Sequence, residues 1–88
     1  VDKSFICVGG ISLKRGVTDF LIEEVLVERK MAEIAEEVFI LADSTKIENN
    51  SLIKICDIEN LDLIITDSRL NEDILKKYLE NGVKIINK

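Results

Sequence analysis

Nine residues in the middle of the chain, Val38-Phe39-Ile40-Leu41-Ala42-Asp43-Ser44-Thr45-Lys46, constrain the fold more than any others. Five apolar residues run without a break and stop at Asp-Ser-Thr-Lys. An unbroken apolar run bounded by polar turn formers reads as a strand buried on both faces. Such strands belong to parallel α/β sheets, whose ligands collect beyond the carboxyl ends of the strands. An acid, two hydroxyls and a cation stand at that end in Asp43, Ser44, Thr45 and Lys46. The competing explanation is an ordinary polar turn after a buried strand.

The rest of the chain supports the α/β reading. Ser4–Val8 is a short apolar strand ended by Gly9-Gly10, and Ile11–Gly16 is a loop carrying Lys14 and Arg15. That loop is no P-loop, because Val17-Thr18 follows Gly16 where Lys-Ser/Thr is required. A helix is expected from about Asp19 to Glu37, capped by Thr18 or Asp19, with Glu23 and Glu24 near its positive end. Its apolar stripe is Phe20, Val27, Met31, Ile34, Ala35 and Val38, widened by Leu21, Val25 and Ala32. Glu28, Arg29, Lys30 and Glu33 form the solvated face.

After an Asn49-Asn50 turn, Ser51–Cys56 is a more peripheral strand with Lys54 facing water, and Leu61–Asp67 is another buried strand. Asn71 caps a last helix whose apolar face is Ile74, Leu75, Tyr78 and Leu79, and Gly82 suits the left-handed position after it. Val83–Ile86 closes the order as strand, helix, strand, strand, strand, helix, strand. This alternation predicts a mostly parallel sheet flanked by helices. Two helices are too few to cover both faces of five strands, and Val1 is not an initiator Met, so the chain reads as a fragment of something longer.

Composition excludes several kinds of chemistry. With no histidine among 88 residues there is no Ser-His-Asp triad or Cys-His pair, and two isolated cysteines cannot build a four-cysteine zinc site. No metal and no cofactor is expected. A net charge of −5 argues against a nucleic-acid surface on this part of the protein. Cys7 and Cys56 sit in apolar runs and read as buried, reduced thiols of a cytoplasmic protein. No apolar run approaches the ~18 residues of a membrane span.

Taken in order and spacing, several segments resemble one family. Asp2-Lys3-Ser4-Phe5-Ile6 leads to Gly10-Ile11, then Gly16-Val17-Thr18-Asp19, then Glu24 and Val27. Val38–Lys46 is similar to a strand ending in Asp-Ser-Ser-Lys, and Leu61–Asp67 to a strand ending in Ile-Ile-Thr-Asp. From Asp2 to about Ile85 the chain resembles the effector-binding domain of DeoR-family transcriptional regulators.

The resemblance implies the fold shared with ribose-5-phosphate isomerase and coenzyme A transferases. It implies a phosphorylated sugar or related metabolite as ligand, and release of DNA on binding it, as in a repressor of sugar metabolism. It implies homo-oligomers, with DNA held by an amino-terminal winged helix-turn-helix. That module is not in this chain, nor is the front of the sensor domain with its Gly-Thr-Thr loop. Carried over by motif, Asp2, Gly10, Gly16, Thr18, Glu24 and Lys46 line the ligand cleft. Two departures stand out: Glu28 occupies a place where the family often has a basic residue, and Ile47-Glu48 replaces the usual Phe-Gly.

The residues themselves agree with a sensor. Gly9, Gly10 and Gly16 permit close backbone approach to an anion, a helix amino end offers free N–H groups, and Lys46 supplies charge, with Lys14 or Arg15 as further candidates. The competing reading of Lys46 is a lysine snorkelling from a strand end. One alternative is a sugar-phosphate isomerase or transferase fragment with Glu24 as base. Another is a pure oligomerisation module.

Overall fold

A computed structural model of the chain describes residues 3–87. Four parallel strands form the main sheet, in the order β1 (Lys3–Cys7), β4 (Glu37–Leu41), β6 (Leu63–Thr66) and β7 (Ile85–Asn87). A second, antiparallel sheet holds β2 (Gly10–Ser12), β3 (Gly16–Asp19) and β5 (Ile53–Cys56). Helix α1 spans Ile22–Ile34 and α2 spans Glu72–Glu80. The fold is α/β with a mostly parallel sheet, as the sequence predicts.

Parallel neighbours require long crossovers, and the second sheet is built from them. The β1-to-β4 crossover contains β2, β3 and α1, and the β4-to-β6 crossover contains β5. Two expectations are corrected here. Ile11–Gly16 is a hairpin in place of a loop, with Ile11 opposite Val17 and Ser12 opposite Gly16. Its three-residue turn closes on Gly16, whose φ of +86° lies in the left-handed region that favours glycine. The Ser51–Cys56 strand is peripheral with an exposed Lys54, as expected, yet pairs with β3 in the second sheet.

The core lies between the two sheets. Ile6, Val38, Ile40, Ile64 and Ile85 from the main sheet meet Ile11, Val17 and Ile55 from the second, with Val25, Ile47, Leu70 and Tyr78 filling in. The opposite face of the main sheet is only partly covered. Phe5, Phe39 and Leu63 form one row in register there, and Cys7, Leu41, Ile65 and Ile86 form the next. Phe5 is 53% exposed and meets Phe39 edge to face, centroids 5.1 Å apart. The expectation of a central strand buried on both faces therefore holds for one face of this chain. Cys7 is likewise exposed and Cys56 half-buried, where both were expected inside.

Helix α1 is shorter and rotated relative to expectation. Its cap position is Leu21, with no side-chain cap, because Thr18 and Asp19 belong to β3. The buried stripe is Val25 and Glu28 with Ala32 and Ala35 partly covered, at three- and four-residue spacing. Phe20, Val27 and Ile34 of the expected stripe are exposed. Glu28, expected in water, is buried. In α2, Asn71 Oδ1 accepts from the Asp73 and Ile74 N–H groups as expected of a cap, while Leu79 faces solvent. Gly82 takes φ +78° after the helix. The closing strand begins two residues later than expected and spans Ile85–Asn87.

Candidate functional site

The carboxyl ends of β1, β4 and β6 define one edge of the main sheet. After β4, Asp43 caps a 3-10 turn at Ser44–Lys46, its Oδ1 accepting from the Thr45 N–H at 3.0 Å and from the Thr45 hydroxyl. The Thr45 hydroxyl holds the Asp43 carboxyl below its ordinary pKa. Lys46 Nζ stands 3.8 Å from Asp43 Oδ2 and remains partly exposed.

After β6, Asp67 ties the neighbouring turn down: its Oδ2 accepts from the Ser44 N–H at 2.9 Å. Arg69 grips the same carboxylate through its backbone N–H at 2.9 Å and through Nε and Nη2 at 3.3 and 3.2 Å. That guanidinium, with the Ser44 N–H, holds Asp67 far below the usual carboxylate range. The edge therefore carries a hydroxyl-rich turn, two carboxylates and two cations, braced between two strands. Asp67 and Arg69 were not among the sequence candidates. Their signal was the polar end of the Leu61–Asp67 run, which terminates at the same edge as Asp43.

The candidates carried over by resemblance divide into groups. Asp2 lies outside the described residues. Gly10 and Thr18 come together inside the molecule: Thr18 Oγ1 donates to the Gly10 carbonyl at 3.2 Å and accepts from the Ser51 N–H at 2.8 Å. A Cβ at Gly10 would stand 2.5 Å from the Asn49 carbonyl oxygen, so glycine there lets the second sheet meet the Asn49 loop. Gly16 packs against the Cys56 carbonyl and turns the hairpin. Glu24 is exposed on the first turn of α1, and Lys46 stands on the 3-10 turn.

Helix α1 runs antiparallel to β1. Ser4 Oγ donates to the Met31 carbonyl at 3.1 Å, while Gly9 lies against Asp19 and Phe20 just before the helix begins. The amino end of α1 thus reaches the same sheet edge. Between β1 and α1 runs a groove of about 560 Å³ lined by Phe5, Cys7, Val27 and Met31 and by Glu23, Glu24 and Glu28. Burial, then a hydrogen bond with Asp19, then the charges of Asp19 and Glu24 push the Glu28 carboxyl up to about 8.

The loop after Lys46 is held by Glu48, which sequence reasoning noted only as a departure. Its φ of 63° is left-handed, the conformation for which glycine is the easy choice. Its Oε2 accepts from the Tyr78 hydroxyl at 2.6 Å and the Leu13 N–H at 3.2 Å, and Lys77 Nζ is 3.5 Å from Oε1. Burial alone would raise the Glu48 carboxyl, and these donors together lower it.

Among the described residues, no cluster of three or more His, Cys, Asp or Glu side chains could hold a metal, and no helix is long and apolar enough to cross a membrane.

Comparison with known proteins gives this edge its context. The sequence profile of the family described as "DeoR C terminal sensor domain" matches residues 1–68. The HTH-type transcriptional repressor GlcR of Bacillus subtilis (strain 168) is 36% identical over 86 residues, covering 98% of this chain and 33% of that protein. The HTH-type transcriptional regulator GolR of Listeria innocua is 33% identical over 84 residues, covering 96% of this chain and 33% of that protein. The L-fucose operon activator of Haemophilus influenzae is 42% identical over 53 residues, covering 60% of this chain and 21% of that protein. The chain spans about a third of the length of GlcR and GolR. A profile match over most of the chain, with regulators aligned along nearly all of it, places the protein in the DeoR C-terminal sensor domain family.

Proposed function

We propose that this chain is the carboxyl-terminal part of the effector-sensing domain of a cytoplasmic transcriptional repressor, and that its effector is a phosphorylated sugar or related metabolite. The observation that carries the reading is the braced turn Asp43–Lys46, tied to Asp67 and Arg69 at the carboxyl edge of a parallel sheet. Such edges are where α/β sheets bind ligands. Hydroxyls and carboxylates suit a polyol, and Lys46 with Arg69 suits a phosphate. The name of GlcR supports a repressor, and that of the L-fucose operon activator supports a link to sugars, though with the opposite sign of control.

In this reading DNA is bound by an amino-terminal helix-turn-helix, and the front of the sensor domain precedes Val1. The four described parallel strands run in sequence order from β1 to β7. A preceding segment paired on the other side of β1 would place the reversal of strand order at β1, beside Glu24 and the amino end of α1. Regulators of this kind work as homo-oligomers in the same reading, and no reaction is catalysed. Glu24, the base an isomerase would need, is exposed, which favours sensing.

The test is calorimetric titration of the intact regulator with phosphorylated and unphosphorylated sugars. A charge-assisted bond from Lys46 is worth ~1.5–3 kcal/mol, so Lys46→Ala should weaken phosphorylated ligands by about ten- to a hundredfold and leave unphosphorylated ones nearly unchanged. Lys46→Arg should recover binding only in part. Equal losses for both ligand forms would remove phosphate reading from Lys46.

A further inference from the structure

Two acids that sequence spacing keeps apart are brought together inside this molecule. Asp19 ends β3 and is 4% exposed; Glu28 lies on the inner stripe of α1 and is 9% exposed. Helix α1 packs on β3, which brings the buried Glu28 side chain to the Asp19 carboxyl. Asp19 Oδ1 accepts from the Phe20 N–H at 2.9 Å and packs on Gly9 at the carboxyl end of β1. Glu28 Oε1 is buried with no donor aimed at it. Two carboxylates so placed would leave charge buried and unpaired, at a cost of several kcal/mol. A proton on Glu28 removes both the repulsion and the missing donor.

Among the described residues, no cation takes that proton's place. From α1 itself, Glu23 and Glu24 bring further negative charge, and Arg29 is committed to the Lys54 carbonyl at 2.9 and 2.6 Å. From β5, Lys54 pairs with Asp57 and Cys56 is a neutral thiol raised to about 11 by burial. From β1, Lys3 lies 5.9 Å over the Phe39 ring at the opposite end of the strand, and Cys7 lines the groove without charge.

We propose that Glu28 carries a proton and donates it to Asp19, and that this proton-closed pair positions the amino end of α1 against β3 and the end of β1, making the ligand-facing edge pH-sensitive. Glu28 is thus a positioning residue, acting through Asp19 on the backbone at Gly9 and on the first turn that carries Glu24. The pair belongs to the edge assigned above to effector binding, so its value for sensing rests on that reading; the pair itself does not.

The pH dependence has a definite sign. The ordinary carboxyl value is 4.5 and the folded Glu28 value about 8, so the folded form holds the proton more tightly than the unfolded one. The contribution is complete below about 4.5 and is lost as pH rises through about 8. Glu28→Gln supplies a neutral amide donor to Asp19 at every pH and should remove the dependence.

The experiment uses the intact protein, wild type and E28Q, melted between about pH 5 and about pH 8.5, with amide hydrogen exchange of the first turns of α1 and α2 at each pH. Wild type should lose on the order of 5–10 °C more than E28Q across that range. Its excess exchange, corrected for chemical rate, should be confined to the first turn of α1. Identical pH slopes for the two proteins, or equal loosening of both helices, would overturn the proposal. Should E28Q fail to fold, a carbon-13 carboxyl titration of wild type decides: an ordinary Glu28 value near 4.5 overturns it, and a value near neutrality or above supports it. Titration of wild type with phosphorylated sugars at both pH values tests the sensor reading separately, since a protonated Glu28 without ligand binding sinks only that reading.

Discussion

Glu48→Gly and Glu48→Ala separate two opposing effects at one residue. At φ 63°, a residue with a side chain is strained by ~1–2 kcal/mol, which glycine relieves. Against this, the Glu48 carboxylate accepts from a fully buried Tyr78 hydroxyl and from the Leu13 N–H. Hydrogen bonds to a charged group contribute ~1.5–3 kcal/mol each, and the more exposed Lys77 contact ~0–1 kcal/mol. Ala forfeits the bonds and keeps the strain, for a loss of ~3–7 kcal/mol. Gly forfeits the same bonds, relieves the strain and gives back ~0.5–1 kcal/mol to the freer unfolded chain, leaving it about 1 kcal/mol better than Ala. The expected order is therefore wild type, then E48G, then E48A, in urea or thermal melts. Tyr78→Phe should cost ~1.5–3 kcal/mol more in wild type than in E48G, because its hydroxyl has a carboxylate partner only in the former. Glu48 sits below its ordinary pKa, so its contribution is complete above 4.5 and fades as pH falls through the folded value. The gap between wild type and E48G should narrow as pH falls below the ordinary value of 4.5. E48A matching or exceeding E48G, or a vanishing coupling to Tyr78, would refute the reasoning.

Three further outcomes follow from the same structure. Gly10→Ala should destabilise by ~1–3 kcal/mol in melts, since its Cβ would meet the Asn49 carbonyl at 2.5 Å and Thr18 Oγ1 at 3.0 Å. Near pH 8 a thiol reagent should label exposed Cys7 well before half-buried Cys56, whose thiol is raised to about 11, as read by mass spectrometry. The 88-residue chain alone should self-associate in concentration-dependent light scattering, through the apolar rows on the open sheet face and the free edge of β1; a monomer at high concentration would contradict this.

The parallel sheet was legible because the apolar runs Val38–Ala42 and Leu63–Ile65 lead into Asp43 and Asp67, and both end at the same edge. The second sheet was not, because its strands are three or four residues long and lie inside crossovers. Gly10-Ile-Ser and Gly16-Val-Thr carry too little alternation to distinguish a hairpin from a loop. The rotation of α1 was hidden by Leu21–Val27, where five of seven residues are apolar, and by Glu28. Scoring Glu28 as solvent-facing turns the stripe away from Val25, the residue that is buried completely. At the candidate edge, Asp43 to Lys46 could be named from sequence, whereas the brace through Asp67 and Arg69 depends on β4 and β6 being neighbours. The Glu48 departure from glycine was visible, but its compensation by Tyr78, 30 positions later, was not.

The central claim is that this sheet edge senses a phosphorylated metabolite on behalf of a DNA-binding protein. The most direct measurement is the affinity of the intact regulator for its own promoter DNA as phosphorylated sugars are added, with the sugars recovered afterwards and analysed. The account predicts that at least one phosphorylated sugar weakens DNA binding, that Lys46→Ala shifts the required concentration up by about ten- to a hundredfold, and that the sugar is recovered unchanged. DNA affinity indifferent to every phosphorylated sugar, or recovery of an isomerised product, would contradict it.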